Sequence, residues 1–252
     1  MIEILKARAK QGYRTMSYPN GPAPEMPTRF VGKAVLHPGT CSADCQACVD
    51  ACPTDAITVK DGSPFLDLGR CVFCRKCQYA CPSGSISFSR DFQMAEATRE
   101  GLILHPGDVA SAPLPNLDIK KLFGRSLKLR QVSAGGCNAC EADTNVLGTI
   151  AWDLGRFGIQ FVASPRHADG LLVTGPVTAN MELALRKTYA AVSYPKLVIA
   201  VGACALSGGL FASHDETHKG VTDILPVDLF IPGCPPHPST ILDGLLQLIG
   251  RI

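Results

Sequence analysis

No run in this sequence is long and apolar enough to cross a bilayer: the longest, 197–211, is interrupted by glycines and carries a cysteine. No secretory or twin-arginine pattern opens the chain, so a reducing, cytoplasmic setting is expected and disulfides are set aside. Neither GxGxxG nor GxxxxGK[ST] occurs, and nothing marks a nucleotide cradle. Charge of neither sign dominates, at a formal +2. With 252 residues, 46% of them hydrophobic, the chain can bury a sizeable core and suggests one large domain with one small one.

Cysteine is present in excess. All twelve fall into ordered groups. One block reads Cys41-x3-Cys45-x2-Cys48-x3-Cys52-Pro53, and a second reads Cys71-x2-Cys74-x2-Cys77-x3-Cys81-Pro82. Such short spacings let three thiolates of one looping segment reach three irons of a cubane, while the cysteine before proline is turned away toward the other cubane. The expected ligand sets are therefore Cys41, Cys45, Cys48 with Cys81, and Cys71, Cys74, Cys77 with Cys52. Zinc is the competing reading of any CxxC, but zinc sites want two pairs, and two quartets each ending in Cys-Pro fit that poorly. Ala56-Ile57-Thr58-Val59 and Ser85-Ile86-Ser87-Phe88 follow the two blocks as equivalent strands of an internal repeat.

These blocks resemble the bacterial-type two-cluster ferredoxins over about residues 41 to 90. The first spacing departs from that pattern, x3 in place of x2, and needs a small bulge. With the lead-in Gly12-Tyr13-Arg14-Thr15 and Arg29-Phe30-x-Gly32-Lys33, the region is similar to the ferredoxin-like subunit of formate hydrogenlyase and its complex I relative.

Ahead of the blocks, residues 1–40 read as an arm. Ile2, Ile4, Leu5 and Ala9 share much of one helical face with Lys6, Arg8 and Lys10 beside it, either docked on a neighbouring subunit or lying on anionic headgroups. Pro19, Pro22, Pro24, Pro27 and Pro38 keep the rest of the arm extended. Residues 41–95 form the expected ferredoxin domain, and 96–126, with prolines at 106, 113 and 115, the expected linker. Lys120, Lys121, Arg125, Lys128 and Arg130 crowd together, a solvated face or a dock for an acidic partner.

From 127 to 252, β-rich runs alternate with helical patterns. The segments 127–132, 159–163, 171–174, 197–201 and 227–231 read as buried strands, and 145–154 and 178–192 as helices. Ser239 is placed to cap a final helix. The fold class is thus a doubly wound, flavodoxin-like α/β C-terminal domain behind an α+β two-cluster ferredoxin domain. Ligands of such folds gather outside the carboxyl ends of the strands, and there lie Cys137, Cys140, Cys204 and Cys234. A close pair with two distant single cysteines, each beside glycine, predicts a third 4Fe-4S cluster closed by the fold itself. Three such clusters, at about +2 per oxidised core on twelve thiolates, take the formal charge to roughly −4, which does not suggest a nucleic-acid partner.

The C-terminal motifs carry a second resemblance. Gly136-Cys137-Asn138-Ala139-Cys140-Glu141, Ser164-Pro165-Arg166-His167-Ala168-Asp169, Thr174-Gly175-Pro176-Val177-Thr178, Gly202-Ala203-Cys204 and Ile231-Pro232-Gly233-Cys234-Pro235-Pro236 are similar to the small subunit of membrane-bound, energy-converting nickel-iron hydrogenases. Complex I has the same subunit, but its first two ligands are adjacent, whereas two residues separate Cys137 from Cys140 here. The resemblance implies an electron-transfer subunit of an oxidoreductase complex with three 4Fe-4S clusters, a nickel-iron large subunit, membrane-arm subunits and an upstream ferredoxin or dehydrogenase donor. It also implies a peripheral place on the inner face of the cell membrane, and for Glu141 a proton role facing the partner's active site, with an N-terminal helix cap as the alternative. A quinone-reducing complex I-like module and a hydrogenase-related complex without nickel are the competing functions. His167 and His237 neighbour cluster motifs and either donate to a cluster sulfur or simply pack, while His214 and His218 have the spacing of a metal pair but sit in a polar loop as surface residues.

Overall fold

The computed structural model describes residues 2–12, 14–38, 41–42, 44–108 and 117–252. Tyr13 of the lead-in, Ala43 of the expected bulge, and Pro113 and Pro115 of the expected linker lie outside the described residues. Helix α1 (Ile2–Gln11) buries none of its residues, and Ile2, Ile4 and Leu5 all point into solvent. The arm then crosses the C-terminal half: Met16 N–H donates to Ala151 O, and Arg156 donates to the carbonyls of Met16 and Tyr18.

The chain next builds the small module. Strand β1 (Ala34–Leu36) leads to helix α2 (Ala47–Asp50), the hairpin of β2 (Ile57–Lys60) and β3 (Ser63–Asp67), helix α3 (Lys76–Ala80) and β4 (Ile86–Phe88). β2 and β4, the two strands expected after the cysteine blocks, do not pair with each other. β4 runs antiparallel to β1 and β2 antiparallel to β3. The stretch 96–126 is more than a connector. Glu96 exchanges backbone hydrogen bonds with Phe230, and β5 (Ile103–Leu104) adds a third strand beside β3. Arg99 grips Asp67 through two hydrogen bonds of 2.7 and 2.6 Å, and helix α4 (Leu117–Phe123) lays Ile119 and Phe123 into the core.

The large module starts at β6 (Leu127–Ser133), followed by α5 (Ala139–Val146), β7 (Ile159–Phe161), β8 (Gly170–Thr174), α6 (Ala179–Ala191), β9 (Leu197–Val201), α7 (Ala203–Ser207), β10 (Leu229–Ile231) and α8 (Pro238–Leu248). All five strands are parallel, in the spatial order β7-β6-β8-β9-β10. Counted within the module this is 2-1-3-4-5, the flavodoxin-like order, with its switch point between β6 and β8. β8 and β9 are buried along their whole length, as continuous apolar runs require.

Two expected helical details fall elsewhere. The apolar spacing over 145–154 is not a helix: α5 begins earlier, at Ala139, and ends at Val146, where Gly148 follows and Leu154 N–H folds back onto Leu147 O. Ile150, within that stretch, is 69% exposed. Helix α8 is capped by His237, not Ser239: His237 Nδ1 accepts from Ser239 N–H at 3.1 Å, and Pro238 occupies the first turn, where its missing N–H costs nothing. Leu66 and Leu102 of the small module share one continuous buried cluster with Leu171, Val198 and Phe230 of the large one, so the two modules are packed together.

Candidate metal centres

Short loops around α2 and α3 hold the first eight cysteines. Burial pushes the Cys48 thiol up, and the nearby thiols of Cys81, Cys41 and Cys45 add to the effect. Burial pushes Cys71 up to about 12, with Cys77, Cys52 and Cys74 as its thiol neighbours. The structure therefore brings together the two sets expected from the spacing, each completed by the cysteine before proline in the other block. Backbone amides aim at the sulfurs: Ala56 N–H donates to Cys52 Sγ at 3.3 Å, Ser85 N–H to Cys81 Sγ at 3.2 Å and Phe73 N–H to Cys71 Sγ at 3.3 Å. Phe73 and Arg75, on either side of Cys74, take left-handed φ values of 55° and 63°, a backbone strain of about 1–3 kcal/mol each that serves to turn the loop around its cysteines. Cys81 is the exception among these thiols. Burial raises it, but donors at Ser83 and Ser85 outweigh burial and bring it down to about 7.

The last four cysteines meet at the carboxyl ends of the parallel strands. Cys137 and Cys140 lie at the β6–α5 corner, with Asn138 between them at a left-handed φ of 70°. Cys204 opens α7 after β9, and Cys234 follows β10. Burial drives the Cys140 thiol strongly upward, reinforced by Cys204, Glu141, Cys234 and Cys137. Cys204 rises to about 11, again by burial first, then Cys234 and Cys137. Gly202 lets the chain pass close by: a Cβ there would stand 2.5 Å from Cys140 Sγ. Beyond Cys137, the thiol next felt by Cys234 is Cys74 of the small module. One cavity also joins Val72 and Phe73 of that loop to Gly233 and Cys234.

The donor sets fit iron-sulfur clusters. All twelve cysteines are unpaired thiols, and among the described residues no three His, Cys, Asp or Glu side chains converge closely enough to share one metal ion. Each quartet of mutually neighbouring thiols offers the four sulfur donors that a cubane takes, one at each corner iron. Buried thiols held this high ionise when metal replaces their protons, so ligation and folding are coupled.

Glu141 is buried, and its Oε1 accepts from Ser133 Oγ at 2.5 Å and Thr174 Oγ1 at 2.7 Å. Its partners are hydroxyls at the ends of β6 and β8, the switch point of the sheet, and not helix amides as a cap would have. Ser133 and Thr174 carry no signal in the sequence that ties them to Glu141, although Thr174 sits in the Thr-Gly-Pro motif. His167 precedes β8, where its neighbour Asp169 accepts from Lys128 N–H at the start of β6. That is the end of the sheet opposite the cysteines, so His167 cannot donate to their cluster. His237 commits Nδ1 to Ser239 and packs edge-on to Phe30 and Trp152. His218 Nε2 lies 3.0 Å from Glu182 Oε2, and His214 lines a separate cavity with Asp55 and Arg70. Of the basic group, Lys120 on α4 packs its stem over Gly250.

A family model described as NADH ubiquinone oxidoreductase, 20 Kd subunit, matches residues 137–248, and one described as 4Fe-4S dicluster domain matches residues 40–85. The chain is 42% identical over 132 residues to the probable membrane-bound hydrogenase subunit mbhJ of Pyrococcus furiosus, covering 52% of this chain and 79% of the relative. It is 39% identical over 156 residues to an NADH-quinone oxidoreductase subunit of Desulfovibrio desulfuricans, covering 62% and 83%. Against formate hydrogenlyase subunit 7 of Escherichia coli it is 37% identical over 160 residues, covering 60% and 63%. The 20 Kd model spans the four C-terminal cysteines, and the chain belongs to the family of the NADH ubiquinone oxidoreductase 20 Kd subunit, carrying a 4Fe-4S dicluster domain ahead of it.

Proposed function

We propose that this chain is the electron-transfer subunit of a membrane-associated hydrogenase complex, relaying electrons through three 4Fe-4S clusters to or from a nickel-iron-type large subunit. The observation that supports this reading is the one cavity lined by Val72 and Phe73, next to Cys74, and by Gly233 and Cys234, with the Cys74 thiol among the groups that push the Cys234 thiol up. Cys48 and Cys77 adjoin in the same way between the first two quartets. Each cluster, when bound, supplies a one-electron carrier. The chain's own work is to hold its three quartets in one file, with Cys41, Cys45, Cys48 and Cys81 at the outer end and Cys137, Cys140, Cys204 and Cys234 at the inner end. Loops packed on a shared core fix the spacing.

An upstream ferredoxin or dehydrogenase subunit would dock near the outer quartet and the large subunit near Cys137, which is exposed. No described helix is long and apolar enough to cross a membrane, so attachment to the inner face would come through membrane-arm subunits. The two residues between Cys137 and Cys140 favour the hydrogenase branch over a quinone-reducing one. Purification of the complex containing this chain tests the proposal. About twelve irons in this subunit, stoichiometric nickel in its large partner and hydrogen evolution are the expected results. A complex without nickel would overturn the hydrogenase reading, and about eight irons would remove the third cluster.

A further inference from the structure

Among the differences between the two halves of the small module is one buried hydroxyl, and we propose that this hydroxyl, on Ser85, raises the reduction potential of the cluster held by Cys41, Cys45, Cys48 and Cys81. The inference rests on the reading that these cysteines hold a cluster.

The comparison is internal. Cys52-Pro53-Thr54-Asp55-Ala56-Ile57 and Cys81-Pro82-Ser83-Gly84-Ser85-Ile86 occupy equivalent places in the repeat. At the cysteine before proline the backbone donors are the same: Ala56 N–H reaches Cys52 Sγ at 3.3 Å, and Ser85 N–H reaches Cys81 Sγ at 3.2 Å. Side-chain oxygens lie near both, Thr54 Oγ1 at 3.8 Å from Cys52 Sγ and Ser83 Oγ at 3.5 Å from Cys81 Sγ. The asymmetry is at the fifth position. Ala56 presents a methyl group, whereas Ser85, fully buried, places Oγ 3.1 Å from Cys41 Sγ and 2.7 Å from Ser83 Oγ.

Proton counting fixes the direction of these bonds. A ligating thiolate can only accept, so the contact to Cys41 requires the Ser85 hydroxyl as donor. Each hydroxyl has one proton, and Ser83 Oγ lies 2.7 Å from Ser85 Oγ against 3.5 Å from Cys81 Sγ, so the Ser83 hydroxyl donates to Ser85 Oγ and the two form a short chain that ends on sulfur. Each bond in such a chain polarises the next. A donor to a ligand sulfur stabilises the reduced cluster, which carries one more negative charge, more than the oxidised one. Ser85 therefore acts as a positioning residue for charge at the outer quartet, favouring retention of an electron received from the donor.

The test is potentiometric titration of the full, cluster-loaded chain, followed by electron paramagnetic resonance. The first-cluster signal is identified as the one altered by Cys45→Ser. Ser85→Ala should keep about twelve irons and lower the first-cluster midpoint alone, by about tenfold in the reduction equilibrium, or about 59 mV for one electron. An unmoved midpoint at full iron content, or an equal shift of both ferredoxin-type clusters, would overturn the proposal. Should Ser85→Ala shed its irons, Ala56→Ser decides. Adding the hydroxyl to the other half should raise the second cluster's midpoint, and no rise there overturns the inference equally. An unsubstituted chain that never holds the first cluster is a different result, recognised by iron count before any titration, and would defeat the cluster reading itself.

Discussion

Gly202→Ala should remove the C-terminal cluster while leaving the fold standing. Gly202 has φ +89° and ψ 152°, a region that is essentially glycine-only and strains any other residue by about 1–3 kcal/mol. An added Cβ would also stand 2.5 Å from Cys140 Sγ, where ordinary carbon contacts lie at about 3.5–4.0 Å. The sulfur must therefore retreat by about 1 Å, several times the tolerance of about 0.2 Å for a metal–ligand distance. A free thiol makes that move by turning its side chain, so folding survives. A ligand cannot. The assay is iron content with circular dichroism on the reconstituted chain, expected to fall from about twelve irons to about eight with unchanged secondary structure. Gly107→Ala serves as control, since it carries a left-handed φ of +85° with no atom within 4 Å of the added Cβ, and should keep all its irons. Retention of about twelve irons by Gly202→Ala would refute the assignment of Cys140 as a ligand beside this glycine.

The parallel strands were the most legible part of the chain because burial on both faces leaves uninterrupted apolar runs, and 197–201 is β9 to the residue. Their order, 2-1-3-4-5 within the module, is the one that the expected flavodoxin-like class carries. β1 and β3 escaped because they are short strands of the small module, and Pro64 argues against a central strand such as β3; β5 pairs with β3 only at Leu66 and Asp67, so Pro64 has a partner strand on one side alone. The cysteine quartets could be sorted because ligand spacing is written into loop length. The surroundings of the sulfurs could not. Ser133 and Thr174 reach Glu141 from strands 8 and 33 residues away in sequence, a meeting created only by the switch point. His167 shows the opposite case. Its motif lies among cluster motifs in the chain, yet a parallel strand separates it from them in space, because β8 runs from Gly170 near His167 to Thr174 near Glu141.

Cys204→Ser should extinguish the C-terminal cluster signal and spare the two ferredoxin-type signals, whose ligands come from other loops; loss of all three would show that the shared core fails without the third cluster. Tyr18→Phe deletes the hydroxyl that donates to the fully buried Asp243 at 2.5 Å, leaving Gln93 and Gln247 as its side-chain donors. A cost of about 1–3 kcal/mol is expected, read as a lower thermal midpoint of the loaded chain, and an unchanged midpoint would show that the arm does not contribute to stability. Glu141→Gln separates proton traffic from electron traffic. The amide oxygen of Gln can take over both hydroxyl bonds that Oε1 now accepts from Ser133 and Thr174, so the switch point keeps its shape, but the amide cannot exchange a proton. Ser133 is exposed while Thr174 is buried, so a proton held on Glu141 has an outward path through the Ser133 hydroxyl. If Glu141 passes protons, dithionite should still reduce all three clusters while hydrogen evolution by the assembled complex falls by about two orders of magnitude, the scale of a lost acid-base group. Unchanged evolution would remove Glu141 from the mechanism. Loss of the C-terminal cluster would instead mark it as the residue that holds the Cys137 to Cys140 corner against β6 and β8.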